Sequence, residues 1–85
     1  TSVIGLIGDA YVELGENSKA LNYFEKAADT KNEVLSPVYL KKSGIVYESM
    51  KQPEKALKAY NEIKENYSKS TEAADIEKYI ARIQK

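Results

Sequence analysis

The chain of 85 residues contains no cysteine and no histidine. Without cysteine there is neither a disulfide frame nor a thiolate, although that absence is compatible with any compartment. Without histidine the commonest general base and the commonest metal ligand are both missing. Charge of one sign is missing as well: thirteen Lys and Arg offset thirteen Asp and Glu. A balanced chain offers no basic field to nucleic acid or to an anionic membrane surface. No apolar run is long enough to cross a bilayer. No phosphate-binding loop, zinc spacing or nucleophile–base pair is recognisable. These absences leave no cofactor or metal to expect and no catalytic residue to nominate.

What is present is a balanced, folded composition, 42% apolar and 31% charged, in a length that supports one small domain at most. The apolar pattern starts almost directly after Thr1-Ser2, and the chain reads as a piece of something longer.

Apolar residues recur at spacings of three and four, the helical period, throughout. Ile4, Ile7, Tyr11 and Leu14 form one stripe of the first helix, with Val3, Leu6 and Ala10 beside it. A helix greasy on two flanks is expected to have neighbours on both. Gly15 suits the left-handed position just past a helix end. Asn17 or Ser18 is expected to cap a second helix, whose inner face carries Ala20, Leu21, Phe24, Ala27 and Ala28. After a polar break at residues 30–33, Ser36-Pro37 reads as a cap followed by an N-terminal proline. Leu40, Gly44, Tyr47 and Met50 trace the inner face of that third helix, with Val38, Ile45 and Val46 on its flank. Gln52-Pro53 starts a fourth helix with Ala56, Leu57, Tyr60 and Ile63 inward. A break at residues 66–69 precedes a last helix from Ser70 or Thr71, apolar along Ile76, Tyr79, Ile80 and Ile83 and polar elsewhere. No segment alternates with the period of two that a strand requires, so the fold class is all-α.

The pattern also repeats. A shift of thirty-six residues superposes Gly8 on Gly44, Tyr11 on Tyr47, Lys19 on Lys55, Ala20 on Ala56 and Leu21 on Leu57, and pairs Leu14 with Met50 and Phe24 with Tyr60. One helix pair cannot bury its own faces, so repeats of this size must stack. Glycine, tyrosine, alanine and an aromatic in this order resemble the tetratricopeptide repeat, a helix–turn–helix unit of about 34 residues. The first unit departs from that pattern with isoleucine at a frequent tryptophan position and Asn32 at a frequent proline. The second departs at Ser43, where an apolar residue is usual, and at Lys51, where the turn glycine is usual.

The resemblance implies an α-solenoid of five antiparallel helices: one repeat at about residues 2–31, another at about 36–67, and a capping helix at about 70–84. More narrowly, the restart at residues 35–40 and the ending at residues 75–80 resemble the C-terminal end of bacterial repeat proteins with one N-terminal membrane-spanning helix. That likeness implies a cell-envelope protein anchored through a segment not in this sequence.

Members of the family present a concave groove to a peptide or helix of a partner protein. By matching position, the groove residues implied are Ser2, Gly5, Asp9, Val12 and Glu13, then Val38, Lys41, Ile45, Glu48 and Ser49. A chaperone-type carboxylate clamp is disfavoured, since Gly5 and Asp9 stand where lysine and asparagine are needed and Lys41 alone is no clamp. Val12, Val38 and Ile45 suggest apolar contact, and a rim of Asp9, Glu13 and Glu48 hints at a basic partner. Asp9 and Glu13, one turn apart, read as a solvated or groove-facing pair rather than an acid–base dyad. Among the seven tyrosines, Tyr11, Tyr47 and Tyr60 occupy packing positions, which argues against base stacking. The alternative is a structural module that self-associates: Val3, Leu6, Ile7 and Ala10 form an apolar flank through which the chain could dimerise, with the recognition site in upstream repeats.

Overall fold

The computed structural model describes residues 3–84; the groove position expected at Ser2 lies outside them. Helices α1 (Val3–Glu13), α2 (Asn17–Ala28), α3 (Leu35–Ser49), α4 (Pro53–Asn66) and α5 (Ile76–Ile83) follow one another, with a single 3-10 turn at Glu72–Asp75 leading into α5. No strand occurs among the described residues. Each helix packs on its successor, and the body measures 29 × 28 × 15 Å. That thinness suits two layers of helices at the usual separation of about 8–10 Å.

Helix α3 is the centre, because among the described helices it alone contributes buried residues to both apolar clusters. Its Tyr39 and Val46 join Ala20, Leu21, Phe24 and Ala27 on the α2 side. Its Leu40 joins Ala56, Tyr60, Ile63, Ile76 and Ile80 on the α4–α5 side. Fully burying a residue such as Ile63 contributes roughly 1.5–3 kcal/mol, and Ala20 and Ala56 are equally inaccessible at the matched positions. The last helix buries Ile76 and Ile80 as its one-faced pattern anticipates.

Helix α1 departs from expectation. The stripe of Ile4, Ile7, Tyr11 and Leu14 lies on a helix expected to have neighbours on both flanks. Tyr11 is only half-buried, however, the other three are exposed, Leu14 by 74%, and only Gly5 and Gly8 of α1 are buried. The described residues cover α1 from one side only, and that side meets α2 at Gly8, against the Phe24 ring. Where α3 has helices on two flanks, α1 has one, so its apolar residues outnumber the neighbours available to cover them.

The helix starts also differ. Neither Asn17 nor Ser18 makes a side-chain cap, and Gln52 does not cap α4, although Pro53 does occupy its first turn. Helix α3 is capped by Asn32, whose Oδ1 accepts from the backbone N–H of Val34 (2.8 Å) and Leu35 (2.9 Å). Ser36 is buried and instead donates to the Ala28 carbonyl at 2.7 Å, tying the start of α3 to the end of α2. Asparagine thus replaces proline at this turn with a functional substitute, a side-chain acceptor for two otherwise free donors.

The ends of α1 and α3 share one geometry. The Gly15 and Glu16 N–H groups donate to the Val12 and Tyr11 carbonyls, and thirty-six residues on Lys51 and Gln52 donate to Glu48 and Tyr47. This is the paired pattern that requires a left-handed residue at the helix end. Gly15 meets it at φ +78°, while Lys51 meets it at φ +60° with a Cβ to accommodate. Replacing Lys51→Gly is expected to raise stability by about 1 kcal/mol and Gly15→Ala to lower it by about 1 kcal/mol. Urea denaturation of the two variants checks both signs, and a destabilised Lys51→Gly contradicts the shared turn.

Candidate functional site

The face of α1 and α3 implied as a groove is built from turns of Asp9, Val12 and Glu13 on one helix and Val38, Lys41, Ile45, Glu48 and Ser49 on the other. Spacings of three, four and seven keep each set on one side of its helix.

Gly5 does not belong to the open surface. It is buried, and the Tyr39 ring lies where a Cβ at Gly5 would project. The position counted as groove is therefore a seat for the next repeat's aromatic. Tyr39, unassigned by its spacing in the sequence, stacks on Phe24 with ring centroids 5.9 Å apart and is core.

The charged residues of the face are matched inside the chain. Lys42 Nζ donates to both Asp9 carboxylate oxygens, at 2.8 and 3.0 Å, and lies over the Tyr39 ring at 5.4 Å. Lys41 pairs with Asp75 at 3.4 Å and sits 4.7 Å from the Tyr79 ring centroid. Glu48 receives Arg82 Nη2 on both oxygens at 2.8 Å and the Tyr60 hydroxyl at 2.8 Å. Each pair joins neighbouring elements, α1 to α3 or α3 to the α5 region. The expected acidic rim is thereby answered in place: Asp9 and Glu48 already hold cations, and of the three only Glu13 stands exposed without a partner.

Val12, Glu13, Ile45 and Ser49 stay accessible. Val12 is 40% and Ile45 43% exposed, while Val38 is half-buried. Sequence reasoning missed Lys42, Asp75, Tyr79 and Arg82 as parts of this face. Asp75 and Arg82 read only as the polar side of a cap, because their partners lie thirty-four residues away. Lys42 did carry a signal: the internal repeat aligns it with Leu6, a polar residue on an otherwise apolar stripe.

Among the described residues no group of His, Cys, Asp and Glu could hold a metal ion, and no helix is long and apolar enough to cross a membrane. Two family models, both described as tetratricopeptide repeat, match the chain at residues 1–33 and 42–70. With a fold of stacked helix pairs to match, the chain belongs to the tetratricopeptide repeat family. Repeats of this kind are a protein-interaction fold rather than a catalytic one. No curated protein and no solved structure matches the chain. Neither family match bears on the narrower likeness to anchored bacterial proteins.

Two tyrosine hydroxyls in the α2–α4 region are held in the neutral form. Burial, then the hydrogen bond to Glu25 (2.6 Å) and its charge, push Tyr47 up to about 12. Burial and Glu48 raise Tyr60 in the same direction. A phenol whose folded value exceeds its unfolded one, about 10, contributes stability that is complete below that lower value and lost as pH climbs through the higher. The urea midpoint is therefore expected to fall between about pH 10 and about 12. The double variant Tyr47→Phe/Tyr60→Phe is expected to flatten that fall. An equal slope in wild type and variant contradicts the assignment.

Proposed function

We propose that the α1–α3 face is a partner-binding groove whose recognition is mainly apolar. The observation that carries this reading is the pair Val12 and Ile45, both exposed on a face whose charges, Glu13 aside, are matched within the chain. Matched charges have little left to offer a partner ion, so they set register and exclude like-charged intruders more than they add affinity. An amphipathic helix or extended peptide with an apolar anchor fits such a surface. A basic partner, hinted at by the sequence, loses support once Asp9 and Glu48 are occupied.

The test is a selection of peptides from a display library on the whole chain, followed by binding to Val12→Arg and Ile45→Arg. Selected peptides are expected to weaken about tenfold or more, the usual cost of placing a charge at an apolar anchor. Binders indifferent to both changes contradict the groove. Lys41→Glu is an unsuitable probe, because it breaks the tether to Asp75.

A second reading has its own observation. Val3 is 70% and Leu6 53% exposed, with Ile7 and Ala10 exposed beside them, whereas the α3 residues that match Val3, Ile7 and Ala10, namely Tyr39, Ser43 and Val46, are buried against their neighbours. A contiguous apolar strip favours association, and two copies could cover it by pairing α1 with α1. Sedimentation velocity is expected to show a concentration-dependent dimer that Leu6→Glu abolishes. A strict monomer at millimolar concentration rules this out.

A further inference from the structure

Apart from the α1–α3 face, the structure offers a cleft of about 410 Å³ between α2 and α4, over the other side of α3. Leu40, Ser43 and Tyr47 line it from α3, spaced three and four apart and so turned away from Lys41, Ile45 and Glu48. Ala28 and Ala59 supply short apolar walls from the flanking helices.

At its base Ser43 is 2% exposed, and its Oγ has no hydrogen-bond partner. A buried hydroxyl without a partner is uncommon and asks for one. The fold itself does not demand a serine there: the internal repeat aligns Ser43 with Ile7, and a branched apolar side chain at position 43 would fill the base.

The mouth leans acidic. Glu25 and Asp29 on α2 and Glu62 on α4 face Lys55 and Lys58. Glu25 accepts the Tyr47 hydroxyl, and Lys55 lies 5.8 Å from the Tyr47 ring centroid, so that end is engaged. Asp29 and Glu62 have no ion partner, and Asp29 follows the C-terminus of α2, the negative end of its dipole.

We infer that this cleft is a receptor for a guanidinium group, the arginine side chain of a partner protein. A guanidinium is planar, weakly hydrated and carries five N–H donors. It can lie on the alanine and leucine walls, donate one hydrogen bond to Ser43 Oγ and direct the others to the Asp29 and Glu62 carboxylates. An ammonium has stronger hydration to lose, and an uncharged stem leaves the acids unanswered. This site shares none of these residues with the α1–α3 face, so either can fail without the other.

The experiment is an amide NMR titration of the whole chain with N-acetyl-arginine amide, alongside N-acetyl-lysine amide and N-acetyl-norleucine amide. Saturable shifts are expected at Ala28, Ser43, Ala59 and Glu62 with the arginine probe, about fivefold tighter than with lysine and none with norleucine. Ser43→Leu, which fills the base, is expected to abolish them. Asp29→Asn with Glu62→Gln, both at the cleft mouth, is expected to weaken them about fivefold and decides the matter if Ser43→Leu fails to fold. Equal response to all three probes, shifts scattered over the acidic surface, or insensitivity to these changes overturns the proposal.

Discussion

The close seating of one aromatic ring over one glycine in each helix pair is the contact on which the architecture depends. Phe24 lies over Gly8, Tyr60 over Gly44, and a Cβ at either glycine would collide with the ring. A missing Cβ lets the first helix of the pair approach until its backbone touches the ring face, and the ring then fills the gap without a void. Tyr39 over Gly5 uses the same device between repeats rather than within one. Three glycine–aromatic seats in series therefore set both the spacing within a pair and the rise from one pair to the next.

Polar interactions are laid over that apolar frame and depend on it. The Tyr60 ring must reach across α3 for its hydroxyl to donate to Glu48, which also receives Arg82 from α5. One carboxylate thus links α3, α4 and α5. These pairs are partly exposed, and exposed pairs contribute little stability individually, about 0–1 kcal/mol. Their larger effect is on the surface they leave: a face whose charges, Glu13 apart, are taken and whose Val12 and Ile45 stay exposed.

The helical segments, the repeat with its Gly8 and Gly44 packing positions and the left-handed turn at Gly15 were legible in the sequence, because each follows from local periodicity or from one residue's backbone freedom. Lys51 shows how far that extends, since a turn first marked by Gly15 has the same hydrogen bonds with lysine in place. The face was less legible. Asp9, Lys41 and Glu48 were identifiable by position, but their partners at Lys42, Asp75 and Arg82 were not, because ion pairs between helices leave no period in the chain. Gly5 was misread for the same reason: whether a glycine is open groove or the seat of a ring depends on Tyr39, thirty-four residues away.

The sequence by itself therefore determined an all-α chain of two helix pairs and a cap, since short-range sterics and hydrophobic spacing act along the chain. Which apolar residues are covered, which charges are spent and where a hydroxyl is left unpaired belong to the tertiary structure. Ile7 and Ser43 occupy matched positions, yet one is exposed and apolar while the other is buried and polar. Their polarity is written in the sequence, but their exposure follows from the helices packed beside each one: α3 has neighbours on both flanks and α1 on one.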